Sequence, residues 1–150
     1  AKGNDYDCII LAAAGLIRLN IESQITEYLP LDTFVPEVGQ GSLAIQTRDN
    51  DLYSRKIISV LNDLESAICV TSERAFLQII GESCTYPVTA YTTVTNNILE
   101  INAIALSTDG TKKIALTQQY NSKDPIKSGA EMGNKILEKF KLLEDTNTKK

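Results

Sequence analysis

Cys84 stands at the centre of a polar loop, Glu82–Tyr86, between a helical run that Gly81 ends and Pro87. A loop cysteine can attack an electrophile or carry a covalently bound group. The helix C-terminus just before it opposes thiolate formation, and the chain has no histidine to activate a thiol. By pattern alone Cys84 reads more readily as a partly buried structural thiol. Cys8 and Cys69, each within an apolar run, take that reading more strongly. Arg18 follows an apolar run, Cys8–Ala14, and a glycine turn. A guanidinium at the carboxyl end of a buried strand can hold a substrate carboxylate bidentately. The plainer reading is a surface arginine or an ion pair with an acid such as Glu22. Gly39-Gln40-Gly41 could bring backbone close to a ligand, although such turns are common. Asp49-Asn50-Asp51 suggests a helix cap before it suggests a metal.

Composition narrows the chemistry. The chain has 150 residues, a net charge of -4, 43% hydrophobic and 23% charged residues, which suits an ordinary globular core. Without histidine, Ser-His-Asp and Cys-His catalysis, His-ligated metals and a histidine proton shuttle are excluded. The three cysteines form no CxxC pair, so neither a metal site nor a disulfide framework is expected, and free thiols in a reducing compartment fit better. The acidic balance argues against nucleic acid or an anionic membrane as partner. No apolar run reaches the ~18 residues of a membrane span. Ala1–Asn4 is neither a basic nor an apolar leader, and the chain reads as a piece of a longer protein.

The elements that must position these residues fall into two parts. Cys8–Ala14 reads as a strand buried on both faces, and Gly15–Leu19 as the start of a helix. Glu22–Leu29 suggests a second short helix, stopped by Pro30. Leu43–Arg48 alternates as a half-buried strand would, and Asp49-Asn50-Asp51 caps a helix with Leu52, Ile57, Ile58 and Leu61 on one side. Residues 1–62 supply neither partners nor cover for their strands. From Leu64 onward the pattern is self-sufficient: a helix over Leu64–Ile80 ended by Gly81, strands over Val88–Thr95, Ile98–Leu106 and Lys112–Tyr120, and a helix begun by Asp124-Pro125. Glu73 and Arg74 are expected on its surface or paired with neighbours. In the last helix Ile126, Ala130, Gly133, Leu137 and Phe140 should line one face. This part is a small α+β unit of helix, antiparallel meander and helix.

In order along the chain, Tyr6–Leu19 (YDCIILAAAGLIRL), Leu29–Arg48 (LPLDTFVPEVGQGSLAIQTR), Leu61–Ala75 (LNDLESAICVTSERA) and Gly81–Val88 (GESCTYPV) resemble segments of the porphobilinogen deaminase, or hydroxymethylbilane synthase, family. The resemblance is nearly continuous over the first ninety or so residues and weaker beyond. Glu82-Ser83, Thr89 and Gln46-Thr47 depart from the commoner family residues.

The resemblance implies a fold of α/β plus α+β type. Residues 1–41 would be the end of domain 2, a lobe like those of periplasmic binding proteins, with the hinge. Residues 42–62 would return to domain 1 as a crossing strand and helix, and 63–150 would form domain 3, a three-stranded antiparallel sheet with helices. It implies a transferase of porphyrin and heme biosynthesis that condenses four porphobilinogen molecules into hydroxymethylbilane with release of ammonia. A dipyrromethane cofactor would be tethered to Cys84 by a thioether, with Arg18 binding pyrrole carboxylates and Gln40, Gly41 and Ala12 contacting the cofactor. The family's catalytic aspartate lies in a region with no counterpart here, so the fragment alone should be inactive. The complete protein should be a cytoplasmic monomer, the missing N-terminal part being this chain's partner. The competing readings are a non-catalytic α+β ligand-binding or interaction module, and a truncated relic.

Overall fold

The computed structural model describes residues 6–81 and 87–145. The chain divides into two compact units, Ala1–Phe34 and Val35–Lys150.

In the first unit one short helix, α1 (Ala13–Arg18), begins after Ala12, whose backbone is extended. The helix is closed by Asn20 at φ 57°, a left-handed position that asparagine tolerates. The buried strand expected at Cys8–Ala14 is not formed: residues 8–12 carry no ladder, and Cys8, Ile9, Ile10 and Leu11 are exposed. A strand's N–H and C=O groups need a neighbour, and among the described residues 6–34 none is offered. The helix expected over Glu22–Leu29 shrinks to a single 3-10 turn, Glu22–Gln24, because Ile25 leaves helical backbone at ψ 118°. β-branched Ile25 and Thr26 favour that exit. The Tyr28 hydroxyl donates to Glu22 Oε1 at 2.8 Å, which raises the Tyr28 pKa.

The second unit holds the fold's core. Residues 35–42 form a turn-rich segment in which Gly39 has φ 71°. Leu43–Arg48 is exposed and unpaired rather than a half-buried strand, for the same lack of a neighbour. Helix α2 (Leu52–Ile58) is capped as its sequence suggests, with Ser54 N–H donating to Asp51 Oδ1 at 2.9 Å. Its apolar side faces solvent: Leu52, Ile57 and Leu61 are all exposed.

Helix α3 (Leu64–Ile80) starts at Asp63, whose carboxylate accepts from Ser66 N–H at 2.7 Å, and ends at Gly81 with φ 90°. Strands β1 (Val88–Thr95), β2 (Ile98–Leu106) and β3 (Lys113–Asn121) form an antiparallel sheet in the order β1-β2-β3. Asn96 and Asn97, at φ 52° and 63°, make the first hairpin turn. Helix α4 (Pro125–Asp145) begins at Asp124, which accepts from Lys127 N–H.

Alternation along β2 sends Leu99, Ile101, Ala103 and Ala105 into the core. There they meet Phe76 of α3 and Met132, Ile136 and Phe140 of α4. The face of α4 matches the expected one in part. Gly133 and Phe140 are buried and Ala130 and Leu137 half-buried, but Ile126 is exposed, and Ser128, Gly129, Met132 and Ile136 join the buried side. The glycines decide this: a Cβ on Gly129 would lie 2.0 Å from the Ser72 carbonyl oxygen. The side that lets α3 and α4 approach is the one that is buried, not the side with the bulkier first residue.

Candidate functional site

The residues singled out by sequence lie on both units and in one loop. Ala12 and Arg18 sit at the two ends of α1. The Arg18 side chain is exposed, and its guanidinium makes no hydrogen bond or ion pair among the described residues. Such a fork is available to a carboxylate. Gln40 and Gly41 share one tight turn, in which Gln40 N–H donates to the Glu37 carbonyl at 3.1 Å and Ser42 N–H to the Gly39 carbonyl at 3.0 Å. Both are exposed. Cys84 lies outside the described residues, between Gly81 of the α3 terminus and Pro87.

What holds the Gly39-Gln40-Gly41 turn is Glu73, expected either on the surface or paired with neighbours, and it is paired. Glu73 is buried, with 6% of its surface exposed. Its Oε2 accepts from Gly39 N–H at 2.8 Å. Its Oε1 accepts from Thr92 N–H at 3.0 Å and from the Thr92 hydroxyl at 2.8 Å. Thr92 lies on β1, an edge strand, opposite Ile101. Its N–H points away from β2, and the carboxylate takes the place of a neighbouring strand. A second tie lies nearby, where the Thr89 hydroxyl donates to the Pro36 carbonyl at 2.6 Å. Residues 36–39 are thus bound at two points to the domain that carries the Cys84 loop, one of them two residues beyond Pro87.

A sequence signal for Glu73 does exist. Cys69, Glu73, Phe76 and Ile80 follow one helical stripe, and an acid in that stripe must be buried with donors around it. Arg74, by contrast, is exposed as one of the two expected alternatives. Burial pushes the Cys69 thiol pKa up, against an opposing hydrogen bond with Thr92. Cys69 is therefore a protonated structural thiol, as its place in an apolar run suggests. An open groove of about 510 Å³ is lined by Gln46, Thr47, Arg48, Asp51 and Ser54. Ala12, Arg18, Gln40 and Gly41 are not among its lining residues, and Asp51 on its wall is the α2 cap.

Helices α3 and α4 and the three-stranded antiparallel sheet make a small α+β domain, and the Gly39-Gln40-Gly41 turn is held at its β1 edge. Residues 1–56 match the family model described as "Porphobilinogen deaminase, dipyromethane cofactor binding domain". Residues 67–141 match "Porphobilinogen deaminase, C-terminal domain". Porphobilinogen deaminases of Staphylococcus aureus are similar over 136 residues, or 89% of this chain. The strain Newman protein is 39% identical and the strain bovine RF122 / ET3-1 protein 38%. The chain belongs to the porphobilinogen deaminase family. It spans 44% of the length of these curated relatives.

Proposed function

We propose that this chain is the C-terminal portion of a hydroxymethylbilane synthase. The complete enzyme condenses four porphobilinogen molecules head to tail into hydroxymethylbilane, releasing ammonia, in the cytoplasmic synthesis of tetrapyrroles. The observation that carries this reading is the pair of family matches in chain order, 1–56 and then 67–141.

In this reading a dipyrromethane cofactor is held through a thioether at Cys84 and supplies the pyrrole end that is extended. The tether keeps the growing end at high effective concentration. Arg18 presents an exposed guanidinium, unpaired among the described residues, suited to the acetate and propionate groups of pyrroles. Gln40 and Gly41 sit exposed in a fixed turn, able to offer a side-chain amide and close backbone to the same group. Ala12, extended at the start of α1, contributes backbone.

The domain division we propose is 1–41 for the end of a periplasmic-binding-protein-like lobe and its hinge, 42–62 for a return to the first lobe, and 63–150 for the cofactor-attachment domain. The exposed apolar side chains outside the core support it. Ile9, Ile10, Leu43, Leu52, Val60 and Leu61 are what strands and helices show when their neighbouring layers belong to another part of the protein. The complete protein is then monomeric, and its N-terminal part is this chain's partner. Alone, the chain lacks the aspartate that handles proton transfer in the family.

The test is an assay of the 150-residue polypeptide with porphobilinogen, alone and with the N-terminal part of a deaminase supplied. We expect no product alone. Steady formation of hydroxymethylbilane by the isolated chain would contradict the division of labour.

A further inference from the structure

Glu73 is a charged side chain at the centre of a contact between three segments, and nothing in the proposed chemistry uses it. Among the described residues its carboxylate has no ion-pair partner. Instead it takes three donors, one from Gly39 and two from Thr92. Hydrogen bonds from neutral donors to a buried carboxylate are short and strong, and their geometry is demanding. Both Glu73 oxygens are needed, since Oε1 serves β1 and Oε2 serves the turn. No neutral isostere can serve both. A glutamine has one acceptor and one donor end, so either the Gly39 N–H or the Thr92 N–H would face another N–H. An aspartate is one methylene too short to span from α3 to both.

We propose that Glu73 is a positioning residue that locks the Gly39-Gln40-Gly41 turn onto the cofactor-attachment domain. The turn bearing Gln40 and Gly41 then travels with α3 and β1. The pivot of any movement lies outside Val38–Gly39. This rests on the reading above that Gln40 and Gly41 face the cofactor. It adds that their placement is set from behind, by a carboxylate that never touches it. The second tie, from Thr89 to Pro36, fixes the same segment three residues earlier, so the segment is clamped rather than hung from one point.

The test is amide hydrogen exchange on the full chain, resolved by residue. In the native sequence Gly39 N–H should be protected, with exchange at least ~10-fold slower than in a free peptide. In Glu73→Gln it should exchange about 10- to 100-fold faster than in the native chain, the range expected for losing a hydrogen bond to a charged acceptor. Amides of Ile101 and Phe76 should stay within about 3-fold, which separates local release from general loosening. Thr92→Val removes one donor from β1 and leaves the Gly39 contact, so Gly39 should stay within about 3-fold of native. An unprotected Gly39 in the native chain, or equal Gly39 rates in Glu73→Gln, overturns the proposal. Should Glu73→Gln fail to fold, the native Gly39 protection and the Thr92→Val comparison still decide it.

In the completed enzyme, Glu73→Gln should lower kcat per cofactor-loaded molecule by about 10-fold with a smaller change in KM. A loss confined to the fraction of loaded molecules, with kcat per loaded molecule unchanged, would make Glu73 merely structural and overturn the positioning role. The underlying reading fails separately. If no two-pyrrole adduct ever forms on the Cys84 peptide of the native sequence, the cofactor assignment is lost, while Gly39 exchange still reports whether Glu73 holds the turn.

Discussion

Replacing Gly129 by alanine tests the packing that sets the whole C-terminal domain. A methyl group there would meet the Ser72 carbonyl oxygen at 2.0 Å, the Ser72 carbonyl carbon at 2.9 Å and the Phe76 nitrogen at 3.0 Å. All three are backbone atoms of α3, so no side chain can swing away. Restoring ordinary contact at 3.4 Å means parting α3 and α4 locally by about 1.4 Å. A gap of even 0.5–1 Å forfeits roughly a quarter to a half of each dispersion contact. The contacts at stake are those of Phe76, Met132 and Ile136, which are fully buried. Overpacking ordinarily costs about 1–3 kcal/mol. A rigid backbone obstacle places Gly129→Ala at or above the top of that range. Against it stands about 1 kcal/mol gained because alanine favours a helix interior over glycine. The net expectation is a loss of about 2–3 kcal/mol. For a domain of this size that lowers the melting midpoint by roughly 10–20 °C. Urea unfolding followed by circular dichroism should show a lower midpoint at unchanged slope. Gly133→Ala should cost less, because its closest approach is 2.8 Å, to the Ile79 Cβ, a much milder overlap than at Gly129. A Gly129→Ala chain as stable as the native one would refute the close approach of α3 and α4.

Three further outcomes are expected. The Asp109 carboxyl is held at about 2 by hydrogen bonds from the Ser107 hydroxyl and from the Thr111 N–H and hydroxyl. Its folded value lies below the ordinary 3.8, so its contribution is complete above that pH and is lost as pH falls through about 2. An NMR titration should place its midpoint there, Asp109→Asn should remove that part of the acid destabilisation, and a midpoint at the ordinary value would contradict the turn geometry. In the completed enzyme Arg18→Lys should lower kcat/KM for porphobilinogen by about 10- to 100-fold, since an ammonium cannot make the paired contacts of a guanidinium; unchanged kinetics would remove Arg18 from the site. Cys84→Ser should abolish the two-pyrrole mass on its tryptic peptide, and a retained adduct would place the attachment elsewhere.

The legible parts of the sequence were those whose signals are local and whose partners lie nearby. The bounds expected for α3, β1 and β2 match the structure, because Asp63, Gly81 and the Asn96-Asn97 pair are strong punctuation and β2 alternates. The third strand shifts by one residue at each end, to Lys113–Asn121. Illegible were the features set by distant contacts. Cys8–Ala14 and Leu43–Arg48 have the composition of strands, but composition cannot supply a neighbour, and both stay unpaired here. On α4 the expected face held Gly133 and Phe140, which are buried, but not Gly129, Met132 and Ile136, because the glycines that admit α3 shift the buried side. For Glu73 the charge left exposure and pairing both open. Its place in the stripe of Cys69, Phe76 and Ile80 favours burial with partners, but those partners were not legible, because its donors come from 34 and 19 residues away. The Gln40-Gly41 turn and the exposed Arg18 were visible as candidates. That the turn is clamped at Glu73 and Thr89 was not.

The central claim is that this chain is one part of a cofactor-bearing deaminase, and the intact mass of the native protein from its source tests it most directly. The account predicts a chain much heavier than the 16.5 kDa of these residues, with the mass of two pyrrole units on the Cys84 peptide. A bare 16.5 kDa chain with a free Cys84 thiol would contradict it, and would leave the family membership as a mark of ancestry without the activity.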